Sequence, residues 1–155
     1  MHLEIKVIKD NNKNEYTHIK LPSPYLEEEI NEIVGTDCYS IQFNKSIKNK
    51  VNLSIADINL IAERLERYDT ALVEAMYEYT GCLYETFVCL EEYRYQYKSG
   101  VSSLVEVAEE MVKLGYLGTN DLSEEVLRYI SFDKIARDLD AEGWKIINNI
   151  AILAY

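Results

Sequence analysis

A chain of 155 residues suffices for one ordinary domain, or for two or three very small ones. Apolar side chains make up 48% of it, enough to build a core, which excludes wholesale disorder. Its net charge of −11 argues against direct binding to nucleic acid or anionic lipid, because such a surface repels phosphate and attracts a basic groove.

Leu3 to Lys9 alternates apolar and polar residues with period two, the pattern of a half-buried strand. Residues 10–14 are a turn cluster, and Glu15 to Leu21 returns as a second strand. Pro22 and Pro24 stop that strand and open a helix whose first turns hold Glu27, Glu28 and Glu29, at the positive end of the helix dipole. The helix is expected to end near Gly35, ahead of a third strand over residues 38–43. The lysine-rich segment 44–50 marks an internal boundary.

Ser54 with Asp57 three residues on is a capping-box-like start for a helix to about Arg67. Ile55, Ile58, Ile61, Ala62 and Leu65 form its buried stripe. Asp69 or Thr70 caps the next helix, with Leu72, Val73, Met76 and Tyr77 inward and Gly81 at its end. Leu83 to Glu92 reads as helical, while Tyr93 to Tyr97 alternates and fits a short strand or an extended connection. Ser103 with Glu106 is a second capping box, for a helix to about Leu114 closed by Gly115. Ser123 and Ser131 are expected N-caps of two short helices, and the chain then closes with a hairpin turning at Asn148 and Asn149. The expected fold class is α+β: a small N-terminal three-stranded antiparallel sheet with one helix, then a mainly helical region ending in a short β-hairpin. The expected domains are a small α+β unit over 1–50, a helical central unit over 51–100, and a helical C-terminal unit with the hairpin over 101–155.

No apolar run approaches the roughly 18–20 residues of a membrane helix, and the N-terminus lacks the apolar block of a signal peptide. A soluble, cytoplasmic protein is expected. Cys38, Cys82 and Cys89 are odd in number and unremarkable in spacing, so free buried thiols are the expectation. His2 and His18 stand outside any metal-ligand spacing. Ser131 and Lys134 match a Ser-x-x-Lys nucleophile pattern with no supporting motif, and Ser131 is already assigned as a helix cap. The six glycines are scattered as helix stops, and none builds a phosphate loop. Catalysis is therefore not expected, and no metal site or cofactor is implied. The 13 tyrosines, six of them between Tyr77 and Tyr97, suit either core packing or an interface.

Charge is distributed unevenly. Residues 1–53 hold 8 acidic and 7 basic side chains, and residues 54–155 hold 19 and 9, so ten of the eleven excess negative charges fall in the C-terminal two-thirds. Glu63, Glu66 and Asp69 fall away from the apolar stripe of their helix, and Glu74 and Glu78 lie one turn apart on the next. Glu85, Glu91, Glu92, Glu106, Glu109, Glu110, Asp121, Glu124 and Glu125 continue the series. Few of them have a cation at helical spacing, Arg64 and Arg67 being partial exceptions.

The segment Tyr129-Ile-Ser-Phe132 with Arg137-Asp-Leu139 resembles the Tyr-Ile-Asp-Tyr and Arg-Asp-Leu core of the ArdA family of antirestriction proteins. Ser131 stands where that core has an aspartate. With lower specificity the likeness extends to Leu21-Pro22 before an acidic helix, to Ile41-Gln-Phe43, and to the helix opening at Ser54. The resemblance implies an elongated homodimer whose carboxylates stand in for DNA phosphates. It further implies a cofactor-free, stoichiometric inhibitor that occupies the DNA groove of a type I restriction–modification enzyme, carried by a mobile element. On that reading the mimicking carboxylates are Glu63, Glu66, Asp69, Glu74, Glu78, Glu109, Glu110, Glu124 and Glu125. A dimer would carry about −22, the charge of roughly 11 base pairs. The alternative is a relative that has lost restriction targeting and acts as an interaction or regulatory module. A hydrolase would instead require a cleft with converging polar groups.

Overall fold

The computed structural model describes residues 3–9, 16–35, 38–43, 53–116, 118 and 122–155. The turn cluster expected at 10–14, the lysine-rich boundary at 44–50, His2 and Asp121 lie outside them. Contacts divide the chain into two compact units: residues 1–77 with 81–87, and residues 78–80 with 88–155. The division falls inside the central segment 51–100 and through two of its helices, Thr70–Thr80 and Leu83–Glu91.

In the first unit, β1 (Leu3–Lys9) buries Leu3, Ile5 and Val7 on one face, as its period-two pattern requires. It is the middle strand of an antiparallel sheet in the order β2-β1-β3, between β2 (Tyr16–Leu21) and β3 (Tyr39–Phe43). Leu3 pairs with Leu21 and Ile5 with Ile19, so the apolar sets of the two strands share a face. The Leu21–Pro22 peptide is cis. Helix α1 (Leu26–Val34) follows, with Leu26, Ile30 and Val34 buried and Glu27, Glu28 and Glu29 in its first turn.

Helix α2 (Ile55–Leu65) opens with the expected capping box: Ser54 Oγ accepts from the Asp57 N–H (3.1 Å), and Asp57 Oδ2 accepts from the Ser54 N–H (3.0 Å). Ile58, Ile61, Ala62 and Leu65 are buried. The Ser23 N–H donates to Asn59 Oδ1 (2.8 Å) and Asn59 Nδ2 donates back to the Ser23 carbonyl (3.0 Å), tying the segment after β2 to α2. Ser23 itself is buried, and its hydroxyl donates to Glu29 and accepts from the Tyr25 N–H. Asp69 caps α3 (Thr70–Thr80), which buries Leu72, Val73 and Met76 and ends on left-handed Gly81. Tyr77, expected inward, is half-buried. Helix α4 (Leu83–Glu91) runs from this unit into the next.

The second unit is built on a sheet in the order β4-β6-β5, formed by β4 (Tyr95–Ser99), β5 (Lys145–Ile147) and β6 (Ile150–Ala154). The β5–β6 hairpin turns at Asn148 and Asn149, both with positive φ (51° and 62°), as a type I′ turn demands. The tyrosine segment left open by the sequence is thus a third strand, starting at Tyr95 because Tyr93 takes a left-handed φ of 54°. Against the sheet lie α5 (Leu104–Lys113) and α7 (Phe132–Glu142), whose shared core holds Val107, Ala108, Leu139, Trp144 and Ala151. Gly143 closes α7 at φ 107°, where a Cβ would meet the Tyr79 hydroxyl and Leu153. The Tyr79 hydroxyl donates to the Gly143 carbonyl (3.0 Å). The short α6 (Glu124–Leu127) is capped by Ser123, whose Oγ accepts from the Val126 N–H (3.3 Å).

Three local expectations are corrected. Glu106 does not close a box on Ser103. Ser103 Oγ accepts from the Glu106 N–H (3.3 Å), but the Glu106 carboxylate reaches one residue further back and takes both the N–H (2.8 Å) and hydroxyl (2.6 Å) of Ser102. Ser131 occupies the N-cap position of α7 without a side-chain capping bond. Of the three free cysteines, only Cys82 is buried, because Cys38 precedes an edge strand and is exposed, and Cys89 is half-buried.

Candidate functional site on the acidic helix faces

Helix α2 turns its apolar stripe inward, which leaves Glu63 and Glu66 on the solvent side. On α3 the buried set Leu72, Val73, Ala75 and Met76 directs Glu74 and Glu78 outward. Within the first unit the structure brings Glu66 and Glu74 to one recess of about 470 Å³, which Tyr68, Thr70 and Pro22 also line. Glu124 and Glu125 are exposed at the start of α6.

The nine carboxylates are not equivalent. Among the described residues, Glu63, Glu66, Glu78, Glu124 and Glu125 have no ion pair. Asp69 is exposed, but its Oδ1 accepts from the N–H groups of Ala71 (2.9 Å) and Leu72 (3.1 Å), so it is committed to capping α3. Glu109 and Glu110 are half-buried. Glu109 meets Lys113 at 3.9 Å, and Glu110 pairs with Lys98 of β4. The Lys113 pair is a helical i,i+4 contact visible in the sequence, whereas the Lys98 pair needed the β4 strand.

Spacing sets what one helix face can supply. Glu74 and Glu78 are separated by about 6 Å along the axis, and a DNA strand carries one phosphate per roughly 3.4 Å. A single face therefore provides about half the charge density of one strand, and several helices must contribute. Further exposed carboxylates do occur: Glu27, Glu28 and Glu32 on α1, and Asp133, Asp138, Asp140 and Glu142 on α7. They lie outside residues 63–125, the stretch that holds the nine expected carboxylates. The signal was present, since Asp133, Asp138 and Asp140 all avoid the stripe formed by Phe132, Ile135, Ala136 and Leu139.

The Ser54 hydroxyl, then the Ser54 N–H, hold Asp57 below its ordinary 3.8, and the Ser102 hydroxyl and N–H do the same to Glu106 from 4.5. Burial raises the Tyr77 phenol, with Cys82 adding to it. Burial also raises Tyr95, reinforced by Tyr97 and Tyr93.

His18 sits on β2 with Nδ1 3.5 Å from Glu4, a cross-strand contact within the sheet. Among the described residues no group of three or more His, Cys, Asp or Glu is placed to hold a metal ion. No helix among them is long and apolar enough to cross a membrane. Neither the protein-family models nor the curated protein sequences compared with this chain give a match.

Proposed function

We propose that this chain is a cytoplasmic, DNA-mimicking antirestriction protein of the ArdA type, a homodimer that blocks the DNA groove of a type I restriction–modification enzyme. The observation that carries the reading is the exposure of Glu63, Glu66, Glu78, Glu124 and Glu125 without an ion pair among the described residues, on helices from both units. A cleft that gains affinity by neutralising phosphates gains it from fixed carboxylates by the same mechanism, release of its own counterions. Asp69, Glu109 and Glu110 contribute less, because each is already committed to a cap or a cation. The test is competition. Purified protein should displace labelled duplex DNA from a type I methyltransferase core at near-stoichiometric concentration, and failure to displace it would end this reading.

A second reading has its own support. Tyr93, Tyr116 and Tyr129 are 74%, 74% and 87% exposed, amphipathic side chains suited to a protein interface. An interaction or regulatory module would bind through them with little response to salt, whereas mimicry weakens steeply as salt rises.

A further inference from the structure

We infer that the second unit accepts an extended, basic-flanked peptide segment of a partner protein along the open edge of β4. The peptide groups of β4 establish which side is open. Gly100 N–H donates to the Asn149 carbonyl and Tyr155 N–H to the Arg94 carbonyl, so residues 94, 96, 98 and 100 face β6. Tyr95, Tyr97 and Ser99 therefore turn their N–H and C=O groups away from the sheet. Among the described residues no strand pairs with that edge.

Beside the edge lies a groove of about 540 Å³, its apolar wall formed by Val107, Met111, Leu114, Tyr116 and Trp144, and its β4 side by Gln96, Tyr97 and the Lys98–Glu110 pair. Leu114 is 60% and Tyr116 74% exposed, large apolar side chains left at its mouth. A strand added to β4 would satisfy the outward peptide groups and direct alternate side chains into this groove. Those side chains must be apolar and bulky. A second copy of β4 fits poorly, because its residues on the α5 side are Gln96 and Lys98, which would add a second ammonium beside this chain's own Lys98 and leave the apolar part of the groove unfilled. Charge selects the ends of the segment. The second unit holds 13 acidic and 7 basic side chains, and Lys98 is already neutralised by Glu110, so flanking lysines or arginines are favoured.

The probe is an end-blocked peptide, Lys-Leu-Thr-Val-Thr-Leu-Lys, compared with a version carrying threonine at both leucines and the valine. Trp144 is the sole tryptophan and lines the groove, so its fluorescence reports occupancy, while amide hydrogen exchange reports the edge. The apolar peptide should bind saturably with a Kd of about 100 μM and slow exchange at Tyr95, Tyr97 and Ser99. Leu114→Glu, at an exposed position, and Tyr97→Pro, which removes an outward N–H, should each weaken it about tenfold with circular dichroism unchanged. Absence of saturation up to about 2 mM overturns the proposal, as does equal binding of the threonine version. Protection of the three amides in the protein alone also overturns it, because a second copy or another part of this chain then holds the edge.

Discussion

Asp69 performs two tasks that a single substitution can separate. Its Oδ1 accepts two N–H groups at the start of α3, and its carboxylate is one of the nine charges proposed to imitate phosphate. Asp69→Ala should lower stability by about 1 kcal/mol in urea unfolding, the usual cost of losing a cap. Asp69→Ser keeps a capping oxygen and removes only the charge, so stability should be nearly retained while inhibition weakens slightly. If Asp69→Ser unfolds as readily as Asp69→Ala, capping is not what the side chain does. Acid acts at the neighbouring box. The folded pKa of Asp57 is depressed, so its stabilisation is complete above the ordinary carboxylate value of 3.8 and fades as pH falls through the lowered value. The stability difference between wild type and Asp57→Asn should therefore be present at pH 7 and shrink as pH falls below the ordinary carboxylate value of 3.8. A gap that stays constant with pH would assign the effect to packing.

At the scale of elements, the hairpin is the sharpest test. Asn148 and Asn149 both take positive φ, which asparagine tolerates and glycine prefers. Asn149→Gly should raise the melting temperature by a few degrees, and Asn149→Val should cost about 1–2 kcal/mol from left-handed strain. The opposite order would mean that side-chain contacts, not backbone conformation, fix the turn. This hairpin was legible because its signal is local: two asparagines between apolar runs. The α2 capping box and the Gly81 stop were legible for the same reason. Strand β4 was legible only as one of two alternatives, since its partner β6 lies some fifty residues downstream and an edge strand with one solvated face carries a diluted pattern. The Ser102–Glu106 contact escaped, because Ser102 and Ser103 are chemically identical and only backbone geometry chooses between them. Among the carboxylates, outward direction could be read from helical period, but the engagement of Glu110 by Lys98 depended on that same strand.

For the molecule as a whole, composition states the total charge and the fold decides which part of it is free. The excess of ten negative charges in residues 54–155 becomes, in structure, a set of helices that bury aliphatic stripes and turn glutamates outward. Tertiary packing is thus what converts an acidic composition into oriented carboxylates. Their value to a cationic cleft depends on how few cations they already hold. The most direct test combines charge removal with salt. Inhibition of DNA binding by a type I methyltransferase core should be measured from about 50 to 200 mM salt for wild type and for Glu63→Gln, Glu66→Gln, Glu74→Gln and Glu78→Gln combined. The account predicts that wild-type inhibition falls steeply and log-linearly with salt, and that the variant inhibits at least about tenfold less with a visibly flatter slope. Equal inhibition and equal slopes, with both proteins folded, would contradict it.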